Sequence, residues 1–167
     1  MSNNLQLLDD FTKIKPQYAE EKDADQLLQM WQQTFRYLLS ILSRPPGTYE
    51  LTKEKVLNLI RAQQVLIWRK TPTELFACIV IKINKENKKA SFGKLAVNAK
   101  DQKNGIGTAI VHWVEEFLKE KGMESIRIET YEKTPFLRRY YEKLGYNVTK
   151  VLHIRGENIL ELRKILK

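Results

Sequence analysis

Cysteine is almost missing from this chain. Cys78 stands alone among 167 residues, so no intramolecular disulfide can form, and no Cys/His cluster has the spacing of a zinc site. Histidine is nearly as scarce, with only His112 and His153. Long apolar runs are missing too: Leu75 to Ile81 is the longest, a strand's length and too short to cross a bilayer. The polar, acidic segment Met1–Asp10 lacks the apolar core of a signal peptide. There is no repeat, low-complexity tract or Ser/Gly linker. These absences predict a soluble protein of the cytoplasm or nucleus that needs neither a metal nor a membrane.

What is present is ordinary globular composition, 43% hydrophobic and 29% charged. The length suits one domain, read as residues 11–167 behind an N-terminal extension over 1–10. The 29 Lys and Arg outnumber the 20 Asp and Glu, leaving +9. Such a balance suggests anionic company, from nucleic acid to a phosphorylated ligand. The basic residues are scattered and do not alternate with aromatic ones, so nucleic acid is not the expected partner.

Periodicity sets out the elements. Phe11–Lys15 reads as an edge strand closed by Pro16. Glu21–Leu42 reads as a helix through Leu27, Trp31, Phe35, Leu38, Leu39 and Leu42, stopped by Pro45-Pro46-Gly47. Thr52 is placed to cap a second helix that buries Val56 and Ile60. Val65–Arg69, Leu75–Ile83 and Ala90–Val97 read as an antiparallel meander. A helix follows from Gly105 to Gly122, then a strand over Ser125–Thr130, which together make a βαβ unit with parallel strands. Thr134-Pro135 opens a helix ending at Gly145, and Tyr146–Ile154 with Ile159–Leu166 form a closing hairpin. The fold class is α/β, a mixed and mostly antiparallel sheet flanked by helices.

The segment from Leu95 to Thr108 carries the chemistry. A strand ends, a polar loop turns, and Gly105 and Gly107 enter a helix, so backbone N–H groups can cradle an anion such as a pyrophosphate. It is neither a P-loop nor a dinucleotide fingerprint, because no Lys-Ser/Thr pair follows Gly107 and Ile110 stands where a third glycine would be.

Gln102-x-x-Gly105-x-Gly107 after a strand ending Leu95-Ala96-Val97 resembles the acetyl-CoA-binding motif of the GCN5-related N-acetyltransferase (GNAT) superfamily. Tyr141-Glu142-Lys143-Leu144-Gly145-Tyr146 is similar to its second signature, and Leu160–Lys164 to its last strand. The resemblance implies that the strand before the cradle bulges and splays from its parallel neighbour, a central pair with the coenzyme between its arms. It implies that Leu95, Ala96 and Val97 hold the pantetheine and the thioester carbonyl by backbone groups. Gln102, Lys103, Asn104, Gly105, Ile106, Gly107 and Thr108 would then hold the pyrophosphate. It further implies direct attack of an amine on acetyl-CoA in a ternary complex, an oxyanion held by the Val97 N–H, and Tyr141 protonating the thiolate.

Two positions depart from the family pattern: Thr134 stands for the usual asparagine and Leu137 for the usual alanine, with Thr134 still able to cap its helix and bond the coenzyme. The strand Ser91–Leu95 lacks the glutamate that is the family's commonest general base. An amine with a pKa of about 10.4 still needs one.

The acceptor is an amine on a small molecule or a protein, and the surface charge favours a neutral or acid-bearing one unless Glu50, Glu54 and Glu129 form an acidic groove. Pairing of sheet edges into a homodimer stays open. A second reading is a non-catalytic coenzyme A-binding module, or a basic protein docking on RNA or the ribosome; the missing strand glutamate favours it and Tyr141 opposes it. His112 reads as a solvated residue beside Thr108, Glu115 and Lys119, His153 as structural, and Cys78 as a small buried hydrophobe. Tyr37 and Tyr49 read as residues able to touch the acceptor, and Tyr140 as packing or coenzyme contact.

Overall fold

The computed structural model describes residues 2–167. Its strands are β1 (Gln17–Tyr18), β2 (Val65–Thr71), β3 (Glu74–Asn84), β4 (Lys89–Val97), β5 (Ser125–Tyr131), β6 (Asn147–Ile154) and β7 (Glu157–Ile165). They form one sheet in the order β1-β2-β3-β4-β5-β7-β6. Only β4 and β5 run parallel; the other neighbours are antiparallel. The helices among the described residues are α1 (Ser2–Thr12), α2 (Ala24–Thr34), α3 (Lys53–Arg61), α4 (Ile106–Glu120) and α5 (Pro135–Lys143). None is long and apolar enough to cross a membrane.

β3 shows why the sheet needs two layers of helix. Leu75 through Ile81 is buried without a break, the pattern of a strand covered on both faces. On one face α1 and α4 pack Phe11, Ile110 and Val114 against Trp68, Phe76 and Ile79. On the other, α2 and α3 pack Leu27, Trp31 and Val56 against Ile67, Leu75 and Cys78. This second core draws on β2, β3 and the end of β4, and on no residue of β5 or β7. The corresponding face of β5 and β7 therefore carries charge: Arg127, Glu129 and Arg163, with the ion-paired Glu161. That uncovered half becomes a wall of the cleft described below.

Four sequence expectations change in this part of the structure. The edge strand expected over Phe11–Lys15 is not formed: Phe11 lies in the last turn of α1, and the edge strand is the two-residue β1 just after Pro16. Leu7, Leu8 and Phe11 share a helical face, and burying it against the sheet decides the conformation. Residues 1–10, read as an extension, contribute most of this helix as far as they are described.

The helix expected over Glu21–Leu42 breaks into three parts. A 3₁₀ turn at Glu21–Asp23 leads into α2, and Arg36–Ser40 is again 3₁₀. Within this segment Leu38 is buried and Leu39 is 43% exposed. Thr52 does cap α3, accepting the Lys55 N–H at 3.3 Å. Thr134 occupies the N-cap position of α5, yet its side chain caps nothing. Its hydroxyl instead donates to the Tyr131 carbonyl at 2.7 Å, while its own carbonyl accepts the Leu137 N–H at 3.0 Å.

The fourth change is Glu115. Rather than sharing a solvated face with His112, it is buried. Tyr146 Oη donates to one carboxylate oxygen at 3.0 Å and Lys164 Nζ to the other at 2.7 Å. Both partners come from the chain after α4, which folds back over that helix. A buried carboxylate needs such partners, and no helical period can announce them.

Candidate active site

The parallel strands pair only at Lys89–Ser125, Ala90–Ile126 and Ser91–Arg127. Beyond that point β4 runs to Val97 and β5 to Tyr131 with no pairing between them, so the sheet opens into a V. A cleft of about 330 Å³ lies against it. Its walls are β4 and β5, Val80 and Lys82 of β3, Ile159 of β7, the 3₁₀ segment with Tyr37 and Leu38, the loop Pro46–Thr48, and Leu137 of α5.

A bulge shapes the β4 arm. Its register against β3 jumps from Val80–Gly93 to Cys78–Ala96, so Lys94 and Leu95 together face Ile79. Lys94 has φ +50°, and the Trp31 indole N–H donates to its carbonyl at 2.8 Å. An aromatic residue placed by spacing in the core thus also clamps the bulge. Past it, the Asn98 N–H bonds the Phe76 carbonyl of β3 at 2.8 Å. Successive N–H groups of an extended strand point to opposite edges, so the Val97 N–H faces the gap. The Val97 carbonyl, on the same edge, accepts the Gln102 side-chain amide at 3.0 Å. Ala96 is buried and can offer only backbone, while Leu95 is half-buried.

The loop from β4 to α4 begins with a 3₁₀ turn at Ala99–Asp101. Lys70 anchors Asp101 at 3.0 Å, and the Asn104 side-chain amide donates to the Asp101 and Gln102 carbonyls at 3.1 and 3.2 Å. Lys103 is exposed with φ +63°, and Gly105 begins α4 at φ +80° with no side chain to cap it. The first N–H groups of the helix, at Ile106, Gly107 and Thr108, therefore lack intrahelical partners. The Ile106 side chain is buried in the core. A Cβ at Gly107 would sit 3.6 Å from Tyr140 Oη, which also bonds Thr108 Oγ1 at 3.2 Å. Tyr140 thus belongs to the rim of the cradle.

Tyr141, on α5, is not among the residues that line this cleft. Its half-buried ring packs near Phe92, Tyr140 and Tyr146, at centroid distances of 6.2, 4.9 and 5.8 Å. Its hydroxyl makes no hydrogen bond among the described residues. Burial, reinforced by Tyr140 and Tyr37, pushes its pKa well above the usual phenol value, so it holds its proton. Tyr37 lines the cleft and approaches Phe136 at 5.8 Å. Tyr49 does not line it; its hydroxyl bonds the Gln32 carbonyl at 2.9 Å. Tyr131 does, and spacing gave no hint of it. Cys78 is sealed beside Met30 at 3.5 Å, and burial drives its thiol far above the usual range. His112 is exposed, His153 lies exposed on β6, and Thr134 is fully buried with its hydroxyl engaged at Tyr131.

The cleft's charge is mostly positive. Lys82, Lys94 and Arg127 line it with Glu129. Burial lowers the Lys94 ammonium from its ordinary pKa; Lys82 adds to this and Glu129 opposes it. Glu129 is 3.5 Å from Arg127. The acidic groove considered from the sequence does not form, since Glu50 pairs with Arg155 and Glu54 with Arg61. The bulge that the resemblance implies for this strand falls at Lys94 and Leu95, next to Gly93, a glycine inside a strand.

The structure resembles solved acetyltransferases throughout. It matches PaiA N-acetyltransferase from Thermoplasma acidophilum in complex with coenzyme A with TM-score 0.74 at 19% identity, covering 92% of this chain and 99% of that one. A GNAT family acetyltransferase from Streptococcus agalactiae gives 0.75 at 15%, covering 94% and 98%. Ribosomal-protein-alanine N-acetyltransferase from Brucella melitensis gives 0.71 at 13%, covering 92% and 100%. No curated protein matches the sequence. The family model described as Acetyltransferase (GNAT) family matches residues 17–146, a span holding the parted strands, the cradle and Tyr141. The chain belongs to the GNAT acetyltransferase family, whose reaction is acetyl transfer from acetyl-CoA.

Proposed function

We propose that this enzyme acetylates an amine held in the cleft by direct attack, with both substrates bound together and no acetyl-enzyme formed. The observation that carries this is the parting of β4 and β5 beside a clamped bulge, which leaves the Val97 N–H facing the gap. The residues fit the coenzyme: Gly105 takes a left-handed turn into α4, and the first N–H groups of that helix are left without intrahelical partners.

Bound acetyl-CoA supplies an acetyl group activated as a thioester. The backbone of Gln102 through Thr108 would hold the phosphates, with Lys103 adding charge. Leu95, Ala96 and Val97 would receive the pantetheine arm through backbone groups. The Val97 N–H would donate to the carbonyl oxygen as negative charge grows there, a fixed dipole that need not reorganise. Tyr141, protonated and with a free hydroxyl, would donate to the departing sulfur. Glu129 lines the cleft and is the carboxylate to which the ammonium proton would pass, directly or through water. Cys78, sealed in the core, has no place in the reaction.

The test is release of free coenzyme A from acetyl-CoA across a panel of amines. Release that requires an amine, with one acetyl-amine per thiol, is expected. Tight coenzyme binding with no amine-dependent release across the panel would favour a binding module instead.

A further inference from the structure

The acceptor cleft holds more positive charge than its own residues neutralise. Lys94 and Lys82 have no carboxylate within ion-pair distance among the described residues, although both line it. Lys94 is half-buried on the bulge, with its backbone fixed by Trp31. The one carboxylate of the lining, Glu129, is already shared with Arg127. A desolvated cation without a counterion is costly and is offset when an anion arrives.

We infer that the acceptor is a small amine carrying its own carboxylate, with that carboxylate received by Lys94 and Lys82 at the mouth of the β4–β5 gap. This rests on the acetyl-transfer reading and deepens it. A zwitterionic acceptor matches the lining at both ends, its ammonium toward Glu129 and its carboxylate toward the lysines. Its size suits a cleft of about 330 Å³. A polycationic acceptor, such as a polyamine, would instead bring like charge against two unpaired ammonium groups.

The experiment compares kcat/KM for amino acids and their carboxamides, pair by pair, in the wild type and in Lys94→Gln, Lys82→Gln and Lys94→Arg. Using the change in each pair's ratio between proteins removes the difference in amine basicity within the pair. Losing a charged hydrogen bond should reduce the preference for the carboxylate partner by about 10- to 100-fold in Lys94→Gln. Lys94→Arg should restore much of it. Lys82→Gln, at a more exposed position, should give a smaller loss and carries the test if Lys94→Gln fails to fold. An unchanged ratio in both glutamine variants overturns the inference, as does a wild-type preference for polyamines. In either case amine-dependent thiol release leaves acetyl transfer standing. No release with any acceptor, while coenzyme A still raises the melting temperature, overturns the acetyl-transfer reading and this inference with it.

Discussion

Tyr141 and Tyr146 lie five residues apart and have opposite fates. Tyr146 is fully buried, and its hydroxyl is spent on Glu115. Tyr141 makes no hydrogen bond through its hydroxyl among the described residues, and burial and its aromatic neighbours raise its pKa. A group in that state can donate a hydrogen bond to charge developing on sulfur, whereas a phenolate could not. A thiolate with a pKa of about 8.5 leaves tolerably well unaided, so the gain belongs at the low end of general acid catalysis. Tyr141→Phe should lower kcat and kcat/KM together by about 100-fold, with little change in coenzyme affinity. Steady-state kinetics at saturating acetyl-CoA would check this, and near-full kcat would remove Tyr141 from the chemistry.

At the scale of elements, the site depends on contacts that hold two irregular pieces in place. The first is the bulge of β4. Trp31→Phe retains an aromatic ring but leaves the Lys94 carbonyl without its 2.8 Å donor. It should cost about 1–3 kcal/mol of stability, because an unpaired buried acceptor loses its compensation. Denaturant unfolding would measure that loss. Activity should fall further than stability alone explains, because Val97 lies just beyond the bulge.

The second is the loop at the cleft wall. Glu157, at the start of β7, accepts from the Ser43 backbone and hydroxyl and from Lys133. These hydrogen bonds hold its pKa at about 2, below the ordinary 4.5 of a glutamate. A depressed carboxylate contributes stability that is present above its unfolded pKa and lost as pH falls toward its folded one. Acid should therefore weaken the protein between about pH 4.5 and 2. Glu157→Gln should lower the melting temperature at neutral pH and flatten that acid limb. An unchanged limb would assign the loss to other carboxylates.

For the whole molecule, +9 net charge and an anionic coenzyme make association sensitive to salt. The Debye length falls from about 30 Å at 0.01 M to about 8 Å at 0.15 M, so the attraction of a scattered basic surface fades over that range. kcat/KM for acetyl-CoA should fall several-fold while kcat changes little, and a salt-independent value would show that local contacts alone govern capture.

Much of this was legible in the sequence, because short-range rules wrote it. Alternation and helical spacing marked β2 to β5, α3 and α4. Gly105 and Gly107 marked the cradle, and Gly105 has the left-handed φ of +80° that favours glycine at that turn. The order of these pieces and the Tyr141 segment were enough to suggest the family. Tertiary structure decided the rest, because it depends on what meets across distance. Phe11 became helical when its face found Trp68 and Phe76. Glu115 became buried because Tyr146 and Lys164 arrive to bond it. Trp31 became a clamp only by lying against Lys94, sixty-three residues further along. The acceptor cleft is the clearest case. Lys82, Lys94, Glu129 and Thr48 come from four separate segments, and no local period can express the charge they form together.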